Sequence, residues 1–312
     1  MEQQDQSRKD STMISPSSIF GSVQQMSDLP DDRLFEQLRI LNEEEVLASL
    51  RDADSRKPAD TFGPGSDLVD WLIYPFRNVT NLIGFFDRPG PLRSASDAPD
   101  PLEPGESVRL LLDRLHVHRY PGLGPHDILF EGTIAWDSLK KEGSKSHFAR
   151  QLSVRSGAAA IGGWPLFSEL IVPERGITLA FQTINLSSRL DKALSDALGS
   201  KEFEQGLKLV GGAMPAVAQV STLVRGLIEW AAAQSGNCAV QQVDIGLDAR
   251  NPGAPGARLA EGSYVFLQVP QAVADVWHFD QWKWSSETNT IVSYENGQPL
   301  VANHFIVSVS RR

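Results

Sequence analysis

From Ser107 onward, apolar and polar residues alternate with the period of two that marks half-buried β-strands. Val108 to His118 reads as one long strand whose alternation changes phase near Asp113, as a β-bulge requires. After the loop RYPGLGPHD, Ile128, Phe130, Ile134 and Trp136 alternate with Glu131 and Thr133. Phe148, Leu152 and Val154 predict another strand, and Ile177, Leu179 and Phe181 a further one. Val243, Ile245 and Leu247 alternate with Gln242, Asp244 and Gly246. Tyr264 to Val269 is apolar on both faces, as a central strand is. Val276–Trp284, Thr290–Tyr294 and His304–Val309 complete the set, with Asn296-Gly297 as a turn signal.

The period changes in the middle of this region. Leu190, Leu194 and Leu198 form one helix face ending at Gly199. Ser200 can cap a short helix carrying Phe203, Leu207 and Val210, and Gly211-Gly212 breaks it. Pro215 suits the first turn of another, with Val217, Val220, Val224, Leu227, Ile228 and Ala231 on its apolar side and Gly236 at its end. The uncharged run between Lys208 and Arg225 is shorter than the roughly 20 residues that cross a bilayer. The expectation is a helical insert, 187–236, packed on a sheet. The order strands, helices, strands lacks the βαβ alternation of a doubly wound fold. It predicts a β-rich α+β protein: a largely antiparallel sandwich or sheet with a central pair or trio of helices.

The N-terminal third is patterned differently. Residues 1–28 show no period and read as disordered. Asp31 or Asp32 can cap a helix with Leu34, Phe35, Leu38 and Leu41 on one face, and Asn42 opens a second with Val46, Leu47 and Leu50. Helices this short need something to dock on, either the rest of the chain or a partner. After a polar linker, 52–66, the run 67–86 is apolar and aromatic, with Trp71, Tyr74, Phe85 and Phe86, and Pro75 interrupts it. A kinked core helix, a helix followed by a strand, and an interfacial membrane segment all fit. The Lys/Arg-rich polar face of a membrane-surface helix is missing, so membrane contact is not favoured. The Pro-, Asp- and Ser-rich stretch 87–106 reads as a linker, which sets two domains: an acidic arm, 1–106, and a β-rich globular domain, 107–312.

Charge sharpens that division. Residues 1–106 carry 20 acids against 10 bases, and residues 107–312 carry 19 of each, so the whole net charge of −10 belongs to the arm. Neither part has the basic field that nucleic-acid binding uses. The polar, acidic start predicts no signal peptide and a cytoplasmic location. The single cysteine, Cys238, excludes a disulfide framework and reads as a small buried residue at a strand start.

Candidate chemistry is sparse. His116 and His118 fall on one face of a strand, and the following loop could return His126 and Asp127 to complete a transition-metal set for a hydrolase or oxygenase. Trp282 and Trp284 share a strand face, as an interface hot spot or sheet packing would use them. Asp244, Asp248, Asp275 and Asp280 lie apart without a calcium-loop pattern. The Gly-Leu-Gly and Gly-Gly pairs match neither a P-loop nor a dinucleotide fingerprint, which predicts no nucleotide cofactor. The expectation is therefore a non-enzymatic protein-interaction or assembly component. Its arm would use Leu34, Phe35, Leu38, Leu41, Trp71, Tyr74, Phe85 and Phe86 on a protein partner or a second subunit, with Trp282 and Trp284 as further contacts. The His-x-His metalloenzyme and a membrane-active effector using 67–86 are the alternatives.

Overall fold

A computed structural model describes residues 25–41, 43, 44, 46–48, 76–87, 90–99, 101–138, 141–186, 237–249 and 256–312. The protein is β-rich, and its strands lie in antiparallel sheets. In chain order they are β1 (Val79–Phe86), β2 (Arg93–Ser94), β3 (Ser107–Val117), β4 (Pro125–Ser138), β5 (Lys141–Arg155), β6 (Ala158–Ile171), β7 (Ile177–Leu186), β8 (Cys238–Asp248), β9 (Ala257–Arg258), β10 (Gly262–Pro270), β11 (Trp282–Ser285), β12 (Thr290–Ser293) and β13 (Asn303–Arg311). The six-stranded sheet has the order β2-β1-β10-β13-β3-β6, the five-stranded sheet β5-β4-β7-β8-β9, and β11-β12 is a separate hairpin. Of the named pairings only β8–β9 is parallel.

Phenylalanines from both sheets share one core. Phe130 of β4 meets Phe305 of β13 edge-on at 5.1 Å, and Phe181 of β7 meets Phe266 of β10 at 5.1 Å. Phe148 of β5 meets Phe167 of β6 at 5.5 Å. These are the edge-to-face geometries that ring quadrupoles favour. They also explain Gly132: a Cβ there would stand 2.1 Å from Cζ of Phe148. On the other face of the six-stranded sheet, Val265, Leu267, Val269 and Ile306 form a second cluster with Phe86, Trp284 and Ile291. β10 is therefore buried on both faces, as its apolar run predicts.

The bulge in β3 is present. Arg114 pairs with Ile306 and Leu112 with Val307, so Asp113 is passed over. Leu110 and Leu112 face the phenylalanine core before it, Leu115 and Val117 after it, and all four are fully buried. Cys238 opens β8, buried and free, with its thiol pushed up to about 12 by burial.

Several expectations are corrected. The stretch 87–106 does not separate two domains. β1 pairs with β10 from Val79↔Pro270 to Phe86↔Ser263, deep in the sheet that also holds β3. Ala95, Ala98 and Leu102 are buried, and Leu102 N–H donates to Leu259 O (2.7 Å). The apolar pattern of 79–86 belongs to a strand whose Phe85 and Phe86 are fully buried on opposite faces, not to a membrane-surface helix. Trp71 and Tyr74 lie outside the described residues. The helix α1 (Asp31–Ile40) forms as expected, but Leu34 and Leu38 are fully buried in the chain's own core and Phe35 and Leu41 pack against it. Its apolar face is thus used within the chain, and an Asp31–Arg77 ion pair ties it to residues just before β1.

Val276–Trp284 is not one strand: after the short helix α2 (Gln271–Ala274), Phe279–Gln281 is a 3-10 turn and only Trp282–Ser285 is extended. β6 is a strand the alternation did not reveal, because Gly162, Gly163 and Pro165 read as breakers; it is an edge strand, where proline is tolerated. The helices expected over 187–236 lie outside the described residues. β7 and β8, on either side, are antiparallel neighbours with Asn185 opposite Cys238.

Candidate functional site

The bulge at Asp113 decides where the histidines of β3 go. Arg114 and His116 follow it on the face of the six-stranded sheet turned away from the phenylalanine core. His116 sits opposite His304 of β13, and the two rings stack at 4.7 Å and 22°. His304 is fully buried. Its Nδ1–H donates to Ala302 O at 2.9 Å, which leaves Nε2 as a lone-pair acceptor without a hydrogen-bond partner. Burial holds the His116 imidazole down at about 4, aided by the nearby Arg114 and His118. Burial also holds His304 well below the usual range, followed by His116. Both rings are neutral at physiological pH.

The loop after β3 is pinned on several sides. His118 N–H and Arg119 N–H donate to Asn303 Oδ1 at 2.9 and 3.0 Å. Asn185 Nδ2–H donates to Pro121 O, and Gly122 N–H to Glu43 Oε1. Tyr120 is buried and donates to Thr183 Oγ1. Leu123 stands at the tip, 87% exposed.

His126 is the second residue of β4 in the other sheet. Its Nε2 is 3.0 Å from Ser156 Oγ on the β5–β6 turn, and burial lowers its pKa although Asn185 acts the other way. A neutral imidazole so placed can take a serine proton. Ser156 is on an exposed turn, however, and the next N–H, of Gly157, is bonded to Val117 O at 2.8 Å. The pair fastens a corner. The proposed metal set does not assemble: His116 and His118 are on one sheet's outer side, while His126 and Asp127 belong to the other sheet. Among the described residues no group of three or more His, Cys, Asp or Glu is placed to hold a metal. The four aspartates singled out above belong to no such group either.

One polar row was not legible as such. Glu131 and Thr133 read as the solvent side of β4, yet they are 1% and 4% exposed. Gln182 Nε2–H donates to Glu131 Oε2 (3.0 Å), and Gln242 Nε2–H to Gln182 Oε1 (3.0 Å). Thr133 Oγ1 lies 3.0 Å from His147 Nδ1. The register places these side chains opposite one another on four strands, information that no single strand carries.

Trp282 and Trp284 also turn inward. Trp284 stacks on Phe86 at 5.5 Å and Trp282 on Trp277 at 5.5 Å, covering the second cluster.

The surface that remains open is an edge. The two larger sheets end in β2, β6, β5 and β9. β2 and β9 are two residues long. β5 carries Lys141, Lys145, Arg150 and Arg155. β6 is 14 residues long and has no charged residue before Glu169. Ala158, Ile161, Gly162 and Pro165 are exposed, Ile161 by 57%. Short length, lysines, prolines and bulges are how natural sheets blunt their edges; β6 has Pro165 and register shifts in its later part, and Ala158–Ile161 have none of these.

These features define a β-rich protein of antiparallel sheets in which the edge strand β6 carries no charged residue from Ala158 to Ser168. No protein-family model, curated protein or solved structure matches the chain. No helix among the described residues is long and apolar enough to cross a membrane.

Proposed function

We propose that the chain is a protein-interaction or assembly component that docks through the β6 edge rather than through its N-terminal arm. On this reading the two sheets form a sandwich that serves as a rigid scaffold. The observation that carries it is the uncharged first half of β6, in which Ala158, Ile161 and Gly162 are exposed. An edge strand offers a row of backbone donors and acceptors to an incoming strand, and charge is what normally keeps strangers off it. The arm is a poorer candidate because Leu34, Leu38, Phe85 and Phe86 are already buried within the chain.

The test is a photo-crosslinking side chain at Ile161 in the full chain, produced in cells, with the same group at Tyr294 as control. Tyr294 is 47% exposed and lies beside the β11–β12 hairpin. A discrete adduct from position 161 alone is expected. No adduct, or equal adducts from both positions, would overturn the reading.

A further inference from the structure

We infer that the strand received by β6 is β6 of a second copy of this chain, so that two six-stranded sheets join across a two-fold axis. This rests on the docking reading above and names its partner.

The usable part of the edge is short. Ala158 to Ile161 pair in regular register with Val117 to Arg114 of β3. Beyond them the register shifts, Gly163 takes a positive φ of 61°, and Pro165 has no N–H to give. Docking is therefore confined to Ala158–Ile161. An antiparallel pair centred between Ala159 and Ala160 sets Ile161 opposite Ala158 of the second copy, a large residue against a small one, twice by symmetry. The alanines let the two backbones approach without a side-chain clash.

Charge argues for a second copy. The net −10 lies in residues 1–106 and residues 107–312 sum to zero, so like-charge repulsion between two copies is set by the first third of the chain and not by the part that carries β6. From Ser156 to Ser168 there is no charged residue, so at this edge that repulsion is weakest and no buried charge would need a partner. A partner chosen by charge would find nothing to read here. What the edge reads is an extended, uncharged, small-residue strand, and the chain itself supplies one. Four paired residues a side make less than a standard interface, so the dimer is reversible and forms with concentration.

Sedimentation velocity of the full chain over a concentration series, with amide exchange followed at 158–161, tests this. A monomer–dimer equilibrium is expected, with slower exchange of those amides as the dimer fills. Ile161→Lys is expected to weaken dimerisation by about tenfold or more, equivalent to about 1.4 kcal/mol, by placing a lysine on each side of the axis. Ala159→Lys is the second variant if Ile161→Lys does not fold. A chain that stays monomeric with freely exchanging 158–161 amides overturns the second-copy proposal. So does a dimer that survives both lysines. The crosslink at position 161 separates the two readings. An adduct with a different protein leaves docking at β6 standing and removes self-pairing; no adduct removes both.

Discussion

β5 and β6 are joined by one tight turn at Ser156-Gly157, and each is the outermost strand of its sheet. Their chemistry is opposite. β5 exposes Arg150 and Arg155 and buries Phe148, Leu152 and Val154. β6 buries Leu166, Phe167 and Leu170 in its second half and leaves its first half uncharged and only partly covered, with Ala158, Ile161 and Gly162 exposed. Folding needs only the buried positions of each, since both anchor the same core through Phe148 and Phe167. The remaining positions of a strand edge are free to repel or to invite. The difference between the two strands therefore reports on association rather than on fold.

The largest way to break the comparison is to cut what the two strands share. Phe148→Ala removes the ring that meets Phe130, Phe167 and Phe181 and is expected to cost about 3–5 kcal/mol. Chemical denaturation measures it, and a loss below 1 kcal/mol would show that the rings are not the anchor. Gly132→Ala drives a methyl into the same ring and is expected to cost about 1–3 kcal/mol by overpacking. A stability equal to wild type would refute the close approach.

Acid acts beside both strands, because burial lowers the pKa of His116, paired with Ala159 of β6, and of His126, paired with Val154 of β5. His116 and His304 have folded-state pKa values below the ordinary one, through burial first. The unfolded chain takes up protons that the folded chain refuses, so stability falls as pH drops from about 6.5 towards 4 and then levels for His116. Arg114 and His118 face the same patch and oppose its protonation. His116→Gln is expected to flatten that slope in denaturation curves taken across this range; an unchanged slope would assign it elsewhere. The smallest effect on stability is from Ile161→Lys, within about 0.5 kcal/mol because the side chain is largely exposed. Its effect should be confined to association, which the thermal midpoint of dilute protein checks.

The strands that alternate cleanly were legible in the sequence. β3 with its bulge, β4, β7, β8 and β13 lie where the alternation places them, and β10 where a run apolar on both faces does. β1 was hidden because its apolar run follows Pro75 and precedes a proline-rich stretch, so a buried sheet strand resembled an aromatic arm. β6 was hidden by Gly162, Gly163 and Pro165, which only an edge position tolerates together. The histidines of β3 were recognised, but their neighbour His304 is nearly two hundred residues away and is brought in only by strand register. The Glu131–Gln182–Gln242 row is invisible for the same reason. Patterns within a strand show in the sequence, whereas pairings between strands do not.

The bulge at Asp113 makes β3 a strand read in two frames. Even-numbered residues up to Leu112 and odd-numbered ones from Leu115 face the core, and Asp113 is the punctuation between them. Substituting this residue keeps both frames, and deleting it joins them into one, because Leu112, Arg114 and Leu115 then alternate core, outside, core. Losing His116 instead would turn Val117 away from the phenylalanine core, since no extra residue stands there to absorb the step. The chain should thus tolerate a missing residue at Asp113 better than one at His116, a contrast between two deletions that mutational scanning can read directly.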